Sequence, residues 1–174
     1  MNILIVSGTN RPNSASLAVA TYIQQSYVEH LECKVLSLCD LPHDLLNNNY
    51  YSQRHPQMLA MAQMIQAGDV ILFVIPEYHG SFPGIVKFFL DLMPSSTFRH
   101  KPVGIIGVSD GHAGNMRGID HFVGVMHYLR ARVISLFPKI SNVQTMMNGE
   151  TFVPDDRVIN HISGLLEEIQ QIHP

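Results

Sequence analysis

A polar loop that follows the first apolar run of the sequence carries residues suited to holding an anion. Gly8 allows a tight exit from a strand, and Thr9, Ser14 and Ser16 supply hydroxyl donors. Free N–H groups and the dipole at the start of a following helix favour negative charge there. Arg11 adds a guanidinium that can pair with phosphate oxygens. The loop predicts a phosphate cradle, with a capped turn and a solvated arginine as the structural alternative.

Two well-known phosphate loops do not match this segment. A Walker A loop ends in Gly-Lys-Ser/Thr, and this loop contains no lysine. The dinucleotide fingerprint requires Gly-x-Gly-x-x-Gly after the strand, and only Gly8 is present. A monophosphate held by hydroxyls and backbone fits better than a triphosphate with magnesium.

A second loop follows the most apolar run of the chain. Pro76 ends that run, and Gly80 and Gly84 let other atoms approach the backbone closely. Residues 77–81 can present consecutive N–H groups, which suit the flavin edge where negative charge grows on reduction. Tyr78 can stack on an aromatic ring. The loop predicts a platform for a flat ligand, and a tight connection with surface aromatics is the alternative.

The elements that position these loops alternate between strand and helix patterns five times. This alternation predicts a doubly wound parallel sheet, an α/β fold, with helices on both faces. The predicted strands are 2–6, 33–38, 69–75, 103–108 and 132–137, the last with a short extension at 140–143. The predicted helices run from a cap at Ser14 or Ser16 to Tyr27, from Pro56 to Ala67, from Pro83 to Met93, from the third loop to about Arg130, and from Val158 to Ile172 with Asp155 or Asp156 as cap. Ligands bind such folds beyond the carboxyl ends of the strands, where loops 7–14, 76–82 and 109–114 should meet.

Composition narrows the function classes. The chain has 174 residues, of which 46% are hydrophobic and 14% charged, so we expect one domain over residues 1–174. The net charge of -3 and the absence of basic runs argue against nucleic acid and membrane surfaces as partners. No targeting or membrane-spanning segment is evident. Cys33 and Cys39 are expected to be reduced packing residues, which predicts a cytoplasmic protein.

Metal and hydrolase chemistry are not expected. His121 and His127 lie six residues apart, which is not the spacing of a helical metal pair. His-Glu-x-x-His and Cys-x-x-Cys are both missing. Gly-x-Ser-x-Gly is missing as well, so no serine occupies a nucleophile elbow.

The two loops together carry a family resemblance. Gly8-Thr9-x-Arg11-x-x-Ser14, then Pro76-Glu77-Tyr78-His79-Gly80-Ser81, then Gly84-x-x-Lys87-x-x-x-Asp91, resemble the NADPH-dependent FMN reductase family. That family also includes azo-, quinone- and chromate-reducing members, and the resemblance covers essentially the whole chain. It implies a flavodoxin-like, five-stranded parallel sheet of order 2-1-3-4-5. His79 and Ala113-Gly114 stand where many members have Asn and a Gly pair.

The resemblance also implies a site and a reaction. Its FMN-binding residues fall in all three loops; they are Thr9, Arg11, Ser14 and Ser16 at the phosphate, Pro76, Glu77, Tyr78, His79 and Gly80 at the isoalloxazine, and Ser109, Gly111 and His112 in the third loop. NADPH or NADH would give hydride to flavin N5, and a flat acceptor such as a quinone, azo compound or free flavin would then bind in the same slot. This order predicts ping-pong kinetics without a catalytic nucleophile or base, since the cofactor performs the chemistry.

Other aromatic and histidine residues have a functional and a plain interpretation. His79 and His112 flank the predicted slot and could donate a proton to a quinone oxygen near neutral pH; the alternative is two hydrogen-bonded loop histidines. Tyr50 and Tyr51 lie in a loop that could cover a neighbouring flavin; the alternative is a surface loop.

The segments 85–90 and 122–126 are apolar over wide arcs. A surface helix normally shows one apolar stripe, so the additional apolar surface indicates a subunit interface. The resemblance likewise implies a homodimer or homotetramer, and the alternative is a thick core on that side.

Two other functions are compatible with the same sequence. A flavodoxin-like electron carrier would bind FMN without reacting with a nicotinamide, although such carriers are strongly acidic and this chain is only mildly so. A regulatory or assembly protein of the same fold would bind no flavin. Binding of FMN and its reduction by a nicotinamide distinguish the three.

Overall fold

A computed structural model describes residues 1–27, 31–46 and 54–172. Strands and helices alternate along the chain, as predicted. The strands are β1 (Asn2–Ser7), β2 (Glu32–Ser37), β3 (Val70–Pro76), β4 (Pro102–Val108), β5 (Arg132–Val133), β6 (Lys139–Ile140), β7 (Met147–Asn148) and β8 (Thr151–Phe152). The helices are α1 (Ala15–Ser26), α2 (Pro56–Ala67), α3 (Gly84–Leu92), α4 (Met116–Tyr128) and α5 (Asp156–Ile172), with short 3-10 turns at Leu38–Asp40, His43–Leu45 and Val143–Met146.

The main sheet is parallel, with the strand order β2-β1-β3-β4-β5 that the resemblance implied. Its three central strands are buried along nearly their whole length, because helices cover both faces. Successive residues of a strand face opposite layers. Phe73 packs into the core beneath α2, α3 and α4, whereas its neighbour Leu72 packs into the core beneath α1 and α5.

The predicted ends of the helices are largely confirmed. Ser14, rather than Ser16, caps α1, with its Oγ accepting the N–H of Leu17 at 3.2 Å. Asp155 caps α5 by accepting the N–H of Val158 at 2.8 Å. Pro56 is the first residue of α2, and Gly68 ends that helix.

The single fifth strand predicted over 132–137 is wrong in extent. Two short strands, β5 and β6, pair with β4 instead. Val103 faces Val133 and Gly107 faces Lys139, so the edge chain carries two more residues than β4 over the same span. Surplus residues of this kind bend a strand away from its partner. The predicted extension at 140–143 begins with the end of β6 and continues into the 3-10 turn.

An antiparallel hairpin, β7–β8, follows that turn and was not predicted. Its strands have only two residues each, which is too short to show an alternating pattern. Gly149, at φ 60°, forms its turn with Glu150. Phe152 packs edge-on against Tyr22 of α1, with ring centroids 5.6 Å apart, so the hairpin is held against that helix.

The cysteines, two tyrosines and the lengths of the helices were the subject of further predictions. Cys33 and Cys39 are half-buried and form no disulfide. Tyr50 and Tyr51 lie outside the described residues. Within the described ranges, every helix is too short or too polar to cross a bilayer.

Candidate functional site

The three predicted loops leave adjacent strands at one edge of the sheet. Each begins with a backbone N–H that donates to a carbonyl oxygen of the next strand at 2.9 Å. These hydrogen bonds run from Gly8 to Val74, from Glu77 to Val108, and from Ser109 to Ile140. The loops therefore start at fixed positions relative to one another.

A groove of about 280 Å³ lies where these loops meet. Eight of the twelve predicted cofactor-binding residues line it: Thr9, Arg11, Ser14, Ser16, Pro76, Glu77, Tyr78 and Ser109. The other four, His79, Gly80, Gly111 and His112, are not among its lining residues. The structure thus gathers the cradle, the first half of the platform and the start of the third loop around one space.

The groove also has lining residues that the sequence prediction missed. They are Asn13, Ala15, Val108, Asp110, Val143, Gln144, Met147 and Gly149. Asn13 and Ala15 fall between predicted cradle residues, so their position in the loop was a usable signal. The last four come from the 3-10 turn and the hairpin, and no local pattern linked those segments to the three loops.

In the cradle, Thr9, Ser14 and Ser16 are buried whereas Arg11 is exposed, and the three hydroxyls are not equivalent. The Thr9 hydroxyl accepts the N–H of Arg11 at 3.2 Å and shares a 2.8 Å hydrogen bond with the Tyr78 hydroxyl. Ser14 caps α1. Ser16, only 1% exposed, has an Oγ without a hydrogen-bond partner. An unpartnered buried hydroxyl is costly, and a phosphate at the start of α1 would supply the missing acceptor.

The second loop is a tight two-residue hairpin. Tyr78 and Ser81 exchange both backbone hydrogen bonds, at 2.9 and 3.1 Å, and His79 and Gly80 between them have φ values of 51° and 73°. Two positive φ values in succession define a type I′ turn. The expected row of free N–H groups over 77–81 is therefore wrong: those of Glu77, Tyr78 and Ser81 are used within the fold, and only the two central amides lie outside these bonds.

Helix α4 contacts the outer side of this turn. The Ser81 hydroxyl shares a 2.9 Å hydrogen bond with Nδ1 of His121. A Cβ added to Gly80 would lie 3.0 Å from the Arg117 guanidinium, so this side chain covers the tip of the turn. No local sequence pattern connects these α4 residues with the platform, because they follow it by more than thirty positions.

Asn115 anchors the third loop to the neighbouring strand. It is fully buried at φ 62°, and its Nδ2 donates to the backbone oxygen of Ile75 at 2.9 Å. Gly114 adopts φ 57°, and a Cβ there would approach the Lys139 side chain to 2.6 Å. A residue with a side chain would therefore force this loop away from the sheet.

The middle of the third loop is bound to the chain that follows β6. Gly111 O accepts the Ser109 hydroxyl at 2.8 Å and the N–H of Asn142 at 3.2 Å. Val143 N–H donates to Ser109 O at 3.1 Å. These bonds place Gly111 beside Asn142, while the exposed ring of His112 lies 3.5 Å from the Asn142 amide.

Side chains that could ligate a metal ion do not cluster in the described ranges. Among the residues that the structure describes, no three His, Cys, Asp or Glu side chains lie close enough together to hold a metal ion. The groove itself contributes two carboxylate residues, Glu77 and Asp110, and one guanidinium, that of Arg11. The groove is therefore a polar slot in which Arg11 is the only arginine or lysine among the lining residues that the structure describes.

The Thr9–Tyr78 hydrogen bond should couple the first two loops energetically. We expect Thr9→Val and Tyr78→Phe each to lower the free energy of unfolding by about 0.5–1.5 kcal/mol, the usual worth of such a bond. Because both changes remove the same bond, the double variant should lose less than the sum of the two. Urea denaturation of the four proteins measures this coupling, and strictly additive losses would show that the bond contributes nothing.

Two curated azoreductases are similar to this chain in sequence. A curated NADPH azoreductase of Bacillus sp. (strain OY1-2) is 31% identical over 121 residues, which are 69% of this chain and 65% of that protein. An FMN-dependent NADPH-azoreductase of Staphylococcus aureus (strain USA300) is 33% identical over 119 residues, or 64% of this chain and 62% of that protein. The chain thus aligns with less than two thirds of the length of these relatives.

Solved structures share the fold over nearly the whole chain. FerB, a flavoenzyme NAD(P)H:(acceptor) oxidoreductase from Paracoccus denitrificans, has a TM-score of 0.78 at 21% identity, covering 96% of this chain and 93% of that one. A flavodoxin from Streptococcus pneumonia TIGR4 has a TM-score of 0.57 at 15% identity, covering 98% and 97%. The flavodoxin-like fold is confirmed.

The family comparison carries the identification. A family model described as NADPH-dependent FMN reductase matches residues 1–144, which include all three loops at the sheet edge and the groove residues Val143 and Gln144. The match covers well over half of the chain, so the chain belongs to the NADPH-dependent FMN reductase family.

Proposed function

We propose that the protein is an NAD(P)H-dependent oxidoreductase that binds FMN in the groove between the three loops. The observation that carries this proposal is the buried, unpartnered hydroxyl of Ser16, a residue that lines the groove at the start of α1. Family membership and the azoreductase relatives support the same activity. The groove volume of about 280 Å³ is near the lower end of the range for small-molecule sites, as expected for an open slot.

The groove residues fit the two ends of FMN differently. Ser14, Ser16 and Arg11 would hold the phosphate, since hydroxyls, helix N–H groups and a guanidinium all favour an anion. Pro76, Glu77 and Tyr78 on one side and Ser109 on the other would hold the ring system. When bound, FMN supplies the redox chemistry, taking hydride from NADPH or NADH and passing electrons to a flat acceptor such as a quinone, azo compound or free flavin.

The protein's own contribution is binding and orientation. No groove residue is assigned as a nucleophile or a general base. His79 and His112 are exposed and lie outside the lining of the groove, so donation of a proton by either would require an acceptor that extends over the loop tips. The type I′ turn, fixed by its own backbone bonds and by His121, would keep the platform in one position through both half-reactions.

Rapid mixing of the FMN-loaded protein with NADPH or NADH tests the activity. We expect bleaching of the flavin absorption by at least one nucleotide, then recovery on addition of a quinone. Initial rates should follow a ping-pong pattern because donor and acceptor use the same slot. Stable FMN binding without bleaching by either nucleotide would instead identify an electron carrier, and failure to bind FMN would refute the site.

Replacing Ser16 should weaken FMN binding selectively. A hydrogen bond to a charged group contributes about 1.5–3 kcal/mol, so Ser16→Ala should raise the Kd of FMN by about one to two orders of magnitude. Thr97→Val is the matched control, because Thr97 also buries an unpartnered hydroxyl but does not line the groove. Calorimetric titration measures both variants, and equal Kd values for Ser16→Ala and wild type would contradict the phosphate assignment.

We also propose that two copies associate through α3 and α4. A second groove of about 410 Å³ runs between these helices, with Leu90, Val125 and Leu129 among its lining residues. Tyr128 on its edge is 87% exposed, which is unusual for a large aromatic side chain in a monomer. Burying this surface against a second copy would remove it from water, which is the dominant driving force for association.

A charge placed in this groove should separate the copies. Because an unpaired carboxylate is costly to bury, we expect Tyr128→Glu to shift the protein toward monomer in sedimentation velocity experiments. Val153→Glu is the control: Val153 is a hydrophobic residue, 56% exposed, that does not line the α3–α4 groove. A wild-type mass that stays monomeric at all concentrations, or equal shifts in the two variants, would exclude this interface.

We also propose that the protein is located in the reducing cytoplasm. Unpaired thiols persist there, and Cys33 and Cys39 are both unpaired. Burial raises the pKa of the Cys33 thiol, which lowers its thiolate fraction and its reactivity at neutral pH.

A further inference from the structure

A second cleft borders the flavin groove. It has a volume of about 360 Å³ and lies between one flank of α1 and the β7–β8 turn. Asn13 and Ser14 line both spaces, and at the hairpin tip Gly149 lines the groove while the next residue, Glu150, lines the cleft. The cleft therefore adjoins the groove at the start of α1.

The chemistry of the cleft suits a neutral polar group rather than a second anion. Its lining includes the hydroxyls of Thr21 and Thr151, the amide of Gln25 and the carboxylate of Glu150. No lysine or arginine is among the lining residues, so a phosphate there would be repelled by the carboxylate without compensation. Ribose hydroxyls and the amino group of a base would instead donate to Glu150, as ribose does to an acidic residue in dinucleotide-binding folds.

The cleft also has an apolar wall and a suitable length. Tyr22 and Phe152, in their edge-on contact, form part of the lining and offer aromatic surface to a base. Its lining residues run along α1 from the N-cap Ser14 to Gln25, which at the helical rise of about 1.5 Å per residue is on the order of 16 Å. That distance is on the scale of a nucleoside linked through a pyrophosphate at the cradle.

We propose that this cleft binds the adenosine of FAD while the flavin occupies the groove and both phosphates of the pyrophosphate stay at the cradle, beside Arg11 and the start of α1. The proposal rests on the proposed function, because it requires a flavin phosphate at the cradle. It assigns FAD as a second flavin of this protein, with Glu150 contacting the ribose or adenine and α1 forming one side of the subsite.

Calorimetric titration of flavin-free protein with FMN and with FAD tests the subsite. Wild type should bind FAD at least as tightly as FMN, because the adenosine adds contacts in a preformed cleft. Thr21→Phe fills the cleft and should raise the Kd of FAD about tenfold or more while leaving that of FMN within about twofold. Glu150→Ala should raise the Kd of FAD in the same selective way.

A matched control lies on the same helix. Ser26→Phe adds the same side chain at an exposed position of α1 that does not line the cleft, and both Kd values should remain unchanged. Unchanged FMN binding in each variant also serves as the evidence that the variant is folded. Should Thr21→Phe itself unfold the protein, Glu150→Ala at the exposed hairpin tip provides the same selective readout.

The possible results separate the two proposals. Absence of binding of either flavin would refute the proposed function itself. Tight FMN binding with much weaker FAD binding, or an equal effect of Thr21→Phe on both, would overturn the adenosine subsite alone. A rise in the KM of NADPH in Thr21→Phe without any change in the Kd of FAD would assign the cleft to the electron donor and would also overturn it.

Discussion

The site depends on three backbone hydrogen bonds at the carboxyl edge of the sheet. Gly8, Glu77 and Ser109 each leave a strand by donating an N–H to the carbonyl of the next strand, all at 2.9 Å. Each bond adds one more backbone hydrogen bond to a pair of neighbouring parallel strands. The sheet therefore sets the position of the first residue of every loop. Because the strands beneath are buried on both faces, a shift of one loop would require a shift of the core.

Beyond those starting points, each loop is held by a different interaction. The cradle is joined to the platform through the hydroxyls of Thr9 and Tyr78, and the platform is closed by its own type I′ turn. The third loop is anchored from beneath by the Asn115 amide on Ile75 O. These bonds within and between the loops reduce the conformational entropy that ordering them on ligand binding would cost.

The chain that follows the irregular edge of the sheet forms one side of the groove. After the two surplus residues between β5 and β6, the chain turns into a 3-10 helix and a short hairpin instead of continuing as a strand. Val143 and Met147 from this segment line the groove between the three loops, and the hairpin tip contributes Gly149 to that groove and Glu150 to the cleft along α1. A segment whose two strands have only two residues each thus contributes lining residues to both spaces.

The sequence alone predicted the alternation of strands and helices and half of the sixteen residues that line the groove, because buried strands, helix caps and glycine-bearing loops are local signals. Ser14 and Pro56, for example, mark helix starts without reference to any other residue. It did not determine the course of the edge chain or the hairpin, since two-residue strands have no period. Nor did it determine that Tyr78 bonds Thr9, that Asn115 supports Ile75, or that His121 contacts Ser81, contacts that join residues about 40 to 70 positions apart. Only tertiary packing brings such residues together, because their pairing depends on how the helices and strands are placed and not on any property of either segment.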